Sequence, residues 1–374
     1  MNGIYIHIPY CKSKCNYCDF YSVIRRPDVD GFRDMVILEL ANRENYLADH
    51  EVDTVYFGGG TPSLLPPLWY VSVLKHIRER FSVDPLAEIT VEANPDDLNQ
   101  QLLQDLKRIG INRLSIGIQS FVDEHLTLMN RRHDAGQAER SVRLAAGAGF
   151  GHISIDLIYG IPGMTIGQWE ENIRKAISLP VDHISAYHLS IEPGTRFSAW
   201  KRKGILKEIS DDSSFAQYEL LRKIMEASGF RHYEISNFYR DGGISRHNSK
   251  YWSGEPYLGI GPSAHSYNGK ERNWNPASLK KWITQVTCQE DSEGEVITAG
   301  MRRNETIMVG LRTDEGLDLN EFGRMYGLSD RELLLEQARS FIDRGDLMLT
   351  GDRLLFNRAA WFWSDGILAD LFTD

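Results

Sequence analysis

Along the first half of the chain, short apolar runs alternate with longer stretches whose apolar residues recur every three or four positions. The runs 4–8, 54–57, 87–91, 113–118, 153–158 and 183–189 read as strands. Residues 32–40, 98–109, 139–148 and 169–177 between them carry helical periodicity. Gly110 and Gly149 follow two of these stretches, where a left-handed C-terminal cap fits. Repeated strand-then-helix units imply a parallel sheet with helices outside it. Six strands suggest a partial (β/α)6 barrel over 1–230, although a doubly wound open sheet would give the same pattern.

The second half reads differently. A further helix is expected at 211–229, closed by Gly229. Residues 231–290 are rich in Gly, Tyr, Trp, His and Asn with weak periodicity, and read as loops and short strands over the barrel mouth. A polar linker is expected at 291–299. Residues 300–374 read as a small, mainly helical unit with helices at 302–311, 318–326 and 330–344 and a hairpin at 346–356, an order that resembles a winged helix. That unit holds nine Lys or Arg against fourteen Asp or Glu, which argues against nucleic-acid contact, because neutralising phosphates needs basic residues.

Length and charge narrow the class. The 374 residues suit a large α/β domain with a smaller appendage, and a formal charge of −10 gives no basic footprint for nucleic acid. No apolar run approaches a membrane span and no secretory signal is evident, so a cytoplasmic location is expected, with peripheral membrane docking left open. Three of the four cysteines fall within eight residues, as Cys11-x-x-x-Cys15-x-x-Cys18, directly after the first strand. A disulfide framework would spread them through a small secreted chain. Three thiolates on one loop can hold three corners of an iron–sulfur cubane, leaving one iron open to a small molecule. The alternatives are a zinc site, which wants four ligands, or three unrelated cysteines. Cys288 stands apart as a free thiol.

Gly58-Gly59-Gly60-Thr61-Pro62 follows the second strand, and glycines let backbone approach a ligand closely. Glu92, Gln119 and Asp156 fall at or near the ends of successive strands, where parallel barrels build their sites. Each alone could be an N-cap or a satisfied core group; together they look like a ligand-lined mouth.

These segments carry a resemblance. Tyr5-Ile6-His7-Ile8-Pro9-Tyr10-Cys11, the cysteine triplet, the glycine run, Glu92-Ala93-Asn94-Pro95, Gly117-Ile118-Gln119-Ser120 and Asp156-Leu157-Ile158-Tyr159-Gly160 resemble the HemN/HemW branch of radical S-adenosylmethionine (SAM) proteins over nearly the whole chain. The resemblance implies a radical SAM barrel, a [4Fe-4S] cluster on Cys11, Cys15 and Cys18, and SAM on its open iron. It also implies SAM contacts from Tyr5, Gly59, Gly60, Thr61, Glu92, Gln119, Arg131 and Asp156, with Tyr17 beside the cluster. The branch holds oxygen-independent coproporphyrinogen III oxidases and related haem chaperones. The oxidases carry a further cysteine where this chain has Phe20, and a long extension where only four residues precede Tyr5. Both departures favour the chaperone side, whose partners would be haem, haem-accepting respiratory proteins and an electron donor for the cluster. His247-Asn248-Ser249-Lys250-Tyr251-Trp252 matches the HNxxYW motif that the branch associates with haem. A neutral imidazole is an ordinary axial ligand, which makes His247 a candidate and His265 a poorer one. The alternative is a structural corner in which His247 and Asn248 cap a turn and Trp252 fills the core. His7 reads as a supporting or core group.

Overall fold

The computed structural model describes residues 1–24 and 28–373; Arg25 to Pro27 of the expected barrel and Asp374 of the expected C-terminal unit lie outside them. Its main body is a 12-stranded sheet. Six parallel strands appear where periodicity placed them: β1 (Asn2–Ile8), β2 (Glu51–Gly59), β3 (Ser82–Ala93), β4 (Arg113–Gln119), β5 (His152–Tyr159) and β6 (His183–His188). Helices Val29–Asn42, Pro67–Arg80, Gln100–Ile109, Ala135–Gly147 and Ile166–Ser178 join them. The helix Gln100–Ile109 ends at Gly110 with φ +99°, the expected left-handed cap. Ala135–Gly147 and Ile166–Ser178 each open on a capping box, Asp134 with Gln137 and Thr165 with Gln168.

The strands alternate: one face packs apolar side chains under the helices, and the other turns Tyr5, Tyr56, Thr90, Glu92, Ser115 and Asp156 towards the barrel interior. Ile4, Ile6 and Ile8 of β1, Val55 and Phe57 of β2, and Ile116 and Ile118 of β4 are fully buried. Trp69, Trp169 and Trp282 fill the layer between sheet and helices.

Residues 231–290 do not stand over the mouth. They extend both edges of the sheet and close its far end. β7 (Arg231–Glu234) and β8 (Asn237–Tyr239) add antiparallel strands beyond β6. β9 (Tyr257–Ile260) pairs parallel with β1, and β10 (His265–Tyr267) and β11 (Glu271–Trp274) continue that edge antiparallel. β12 (Glu293–Val296), within the expected linker, completes it against β11. The sheet is curved but open, with β7 and β12 as its two edges.

After the sheet, helices Ala299–Leu311, Leu319–Tyr326 and Leu328–Arg344 precede the hairpin Leu347–Thr350 and Arg353–Phe356. Leu317–Asp318 adds a third strand to that hairpin, and a helix at Ser364–Leu371 follows. His232 on β7 ties this unit to the barrel: its ring stacks 4.0 Å from Phe238 and stands edge-on 4.6 Å from Trp361.

Candidate functional site

A cavity of about 480 Å³ opens at the C-terminal ends of the parallel strands. It brings together Cys11, Cys15, Cys18, Tyr17, Gly59, Gly60, Thr61, Glu92, Gln119, Arg131 and Asp156. Tyr5 lies deeper, in a second cavity of about 280 Å³ that runs down the barrel interior and shares Glu92 and Asp156 with the first.

The three cysteines are free, partly exposed thiols on the loop after β1. Burial pushes the Cys11 thiol up, opposed by a hydrogen bond from the Thr61 hydroxyl at 3.4 Å. Burial and the neighbouring Cys15 push Cys18 up to about 11. The Arg131 guanidinium reaches the loop from the far wall. It donates to Cys15 Sγ at 3.3 Å, Asn94 Oδ1 at 2.7 Å and the Gly117 carbonyl at 2.5 Å. Gly117 leaves room for this: a Cβ there would sit 3.1 Å from the Gln119 amide and 3.3 Å from Arg131. A cation and a hydroxyl aimed at sulfur favour the thiolate state that iron requires. Burial also raises the Tyr17 phenol pKa, so Tyr17 stays neutral beside the loop.

The glycine run turns against β1. Gly59 has φ +106°, and a Cβ there would lie 2.6 Å from the His7 ring. A Cβ on Gly60 would lie 2.8 Å from the Ile8 and Tyr10 carbonyls. His7 is fixed by the Tyr5 hydroxyl at 3.1 Å and the Tyr21 carbonyl at 2.9 Å. Glu92 accepts from the Gly59 N–H at 3.0 Å and the Tyr56 hydroxyl at 2.9 Å. Burial raises its pKa, and burial together with Glu92 lifts Asp156 to about 7. Gln119 ends β4 with φ +73°, an uncommon backbone for a residue other than glycine.

His247 lies elsewhere. Its helix, Arg246–Ser253, sits across the N-terminal ends of β1, β2 and β3, opposite the cysteines. Glu88 of β3 accepts from the backbone N–H groups of Arg246 at 3.1 Å and His247 at 2.9 Å. Lys250 pairs with Asp53 at 2.7 Å and donates to the Met1 carbonyl at 3.0 Å. The His247 ring is buried. Nδ1 bonds the Thr54 hydroxyl at 2.8 Å and Nε2 the Tyr251 hydroxyl at 3.3 Å. Burial, then Lys250, lowers its pKa to about 3. Both ring nitrogens are engaged within the protein, so axial ligation from His247 would require this floor to open. His265 is on the outer strand β10, 6.0 Å from Trp274.

Comparison with known proteins places this arrangement. The radical SAM superfamily model matches residues 5–176, and the HemN C-terminal domain model matches 297–363. A curated relative named heme chaperone HemW, from Bacillus subtilis, is 35% identical over 92% of both chains. The chain belongs to the HemW family of radical SAM proteins. Another relative, the mouse mitochondrial radical S-adenosyl methionine domain-containing protein 1, is 34% identical over 84% of this chain and 74% of its own. The HemN coproporphyrinogen III oxidase from Escherichia coli superposes over the whole chain and 90% of its own, with TM-score 0.86 at 23% identity. That likeness establishes the fold.

The residues fit the cofactors the family implies. Among the described residues the donor set is three thiols on a loop beside a cavity lined by glycine backbone, carboxylates and a buried arginine. Among the described residues no three His, Cys, Asp or Glu groups converge as ligands of a single ion would. Sequence reasoning missed Tyr56, which holds Glu92, and it quoted Asn94 in its Glu92-Ala93-Asn94-Pro95 segment without giving it a role. Strand alternation on β2 marks Tyr56 as inward-facing with Thr54, and that is the signal that would have found it.

Proposed function

We propose that this HemW-family chain holds a [4Fe-4S] cluster on Cys11, Cys15 and Cys18, binds SAM in the mouth, and carries haem for delivery to respiratory proteins. The observation that carries the cofactor part is that three thiols, the Gly59–Gly60 turn, Glu92 and Arg131 all line one cavity at the strand ends. When bound, the cluster and SAM supply a reductively generated 5′-deoxyadenosyl radical. The chain's own groups bind and orient. Gly59 and Gly60 let backbone approach the methionine end of SAM, and Glu92 offers carboxylate oxygens to its ammonium. Asp156 and Gln119 face the nucleoside. Arg131 sets the charge beside Cys15, and the neutral Tyr17 ring shields the loop.

The haem part rests on relatives named heme chaperone HemW and on Phe20. Phe20 stands where the oxidases' further cysteine would be, and it is 66% exposed, so it adds no thiol at the mouth. The test is an anaerobic haem titration of the cluster-reconstituted protein, with product analysis after incubation with coproporphyrinogen III, SAM and a reductant. Saturable haem binding with no decarboxylated product supports the chaperone reading. Decarboxylated product without haem binding overturns it in favour of an oxidase. No helix among the described residues is long and apolar enough to cross a membrane.

A further inference from the structure

The loop that carries the cysteines and the segment after β6 form one basic surface. The Phe197 backbone N–H donates to the Asn16 carbonyl at 2.9 Å, which pins the helix Arg196–Arg202 against the loop. Across 11–20 and 190–208 there are seven Lys or Arg against three Asp or Glu, in a chain whose formal charge is −10. Arg196, Arg202, Lys203 and Lys207 are exposed and have no ion pair among the described residues, and the same holds for Lys14, between Cys11 and Cys15. Of the three acids, Glu208 is taken by Lys201, while Asp19 and Glu192 stand unpaired at the rim of the mouth. The neighbouring Asp96 and Asp97 are matched by Arg132 and Lys12. Asp211 and Asp212 open the next helix, where carboxylates offset its dipole.

Beneath this surface the rings of Tyr17, Phe197 and Trp200 follow one another, with centroids 6.5 and 5.8 Å apart. Tyr17 lines the cavity with the cysteines, and Phe197 is fully buried. Trp200 is partly exposed, with the Arg196 guanidinium 5.2 Å from its ring. Phe20 on the loop and Ile205 after the helix are 66% and 67% exposed. Apolar contacts among charged ones are the make-up of a protein interface.

We propose that the helix Arg196–Arg202 and the cysteine loop form the docking surface for an acidic one-electron redox protein that reduces the cluster. The inference rests on the reading that Cys11, Cys15 and Cys18 hold a [4Fe-4S] cluster. The partner's reduced centre loses one electron and the oxidised cluster gains it, with no bond made or broken. The Tyr17, Phe197 and Trp200 rings fill the space between the docked partner and the loop. The cations draw the partner's acidic face to this side of the barrel, and the acidic remainder of the chain repels it elsewhere.

The test uses the full, cluster-reconstituted chain and an acidic flavodoxin as the probe, under anaerobic conditions. Fluorescence anisotropy of the labelled probe reads binding, and stopped-flow absorbance reads reduction of the cluster, each at low and high salt. The variants are the pair Arg202→Glu with Lys203→Glu and the milder pair Arg202→Gln with Lys203→Gln, with thermal unfolding as a check on folding. Neither residue lines the mouth. Wild-type reduction should slow about tenfold or more from low to high salt, since steering raises association rates by about 10–1,000-fold and salt screens it. The charge-reversed pair should bind weakly, react at low salt as slowly as wild type does at high salt, and lose the salt dependence; the glutamine pair should fall between. Photoreduced 5-deazariboflavin, a small reductant that needs no docking, should reduce all three at one rate. A charge-reversed protein that keeps the wild-type affinity, rate and salt dependence overturns the proposal. So does a variant that differs from wild type only in binding vesicles of phosphatidylcholine and phosphatidylserine in equal parts, which would make the surface a lipid-binding one. If wild type takes up no cluster at all, the cofactor reading itself has failed and the docking surface falls with it.

Discussion

Replacing Gly59 by alanine tests whether the glycine run shapes the SAM cavity. At φ +106° an alanine is strained, at a cost of order 1–3 kcal/mol. The new methyl would sit 2.6 Å from two atoms of the His7 ring. His7 cannot swing clear, because it is 4% exposed and tethered to Tyr5 and Tyr21 at 3.1 and 2.9 Å. Forcing it aside adds about 1–3 kcal/mol, the usual cost of overpacking. The combined loss of about 2–6 kcal/mol should lower the unfolding midpoint by at least several degrees. The same shift moves the Gly59 N–H that holds Glu92, so SAM affinity should fall along with stability. Thermal unfolding and equilibrium dialysis of SAM on the reconstituted protein read the two effects. Gly147→Ala is the control: it ends the helix Ala135–Gly147, meets nothing within 4 Å and should be neutral or slightly stabilising. A Gly59→Ala protein with wild-type midpoint and wild-type SAM affinity would refute the reasoning.

Three further outcomes follow from the geometry. Arg131→Gln removes a buried cation from Cys15, so the cluster's reduction potential should fall by about 60–130 mV in a redox titration, the equivalent of about 1.5–3 kcal/mol for one electron; an unchanged potential would dismiss the contact as incidental. Asp156, raised by burial and Glu92 to about 7, binds as a carboxylate, so SAM affinity should weaken below pH 7 in wild type and stay flat in Asp156→Asn; parallel profiles would remove Asp156 from the site. His247 has a folded pKa of about 3 against about 6.5 unfolded, so the neutral ring contributes stability that is full above pH 6.5 and lost as pH falls towards 3. Between about pH 6 and 4, urea unfolding should therefore show wild type losing about 1.4 kcal/mol per pH unit more than His247→Gln, and equal slopes would contradict a buried neutral imidazole.

The parallel strands and their helices were legible because each strand buries apolar residues at alternate positions, and the helices between them keep a period of three to four residues. The mouth was legible for a related reason: a cysteine loop, a glycine turn and acids at successive strand ends can meet only where those ends meet. What lay outside local pattern was which end of the barrel a later segment would join. β9 is four residues long and pairs with β1 across more than 250 residues of sequence, a partnership that periodicity cannot reveal. The HNxxYW segment therefore read as a cover with a candidate axial ligand. Its Ser245 N-cap and the Gly254 left-handed cap mark a short helix, but only the tertiary contacts of Glu88, Asp53 and Thr54 turn that helix into the floor. The helix Pro67–Arg80 also went unnoticed, although Pro at its first position is an ordinary start signal.

The most direct test of the account is simultaneous occupancy. The reduced, cluster-reconstituted protein is loaded with SAM, titrated with haem under anaerobic conditions, and followed by electron paramagnetic resonance of the cluster alongside haem absorbance. The account expects SAM to change the cluster signal and one haem to bind saturably. A cluster signal that never responds to SAM, or the absence of saturable haem binding, would contradict it.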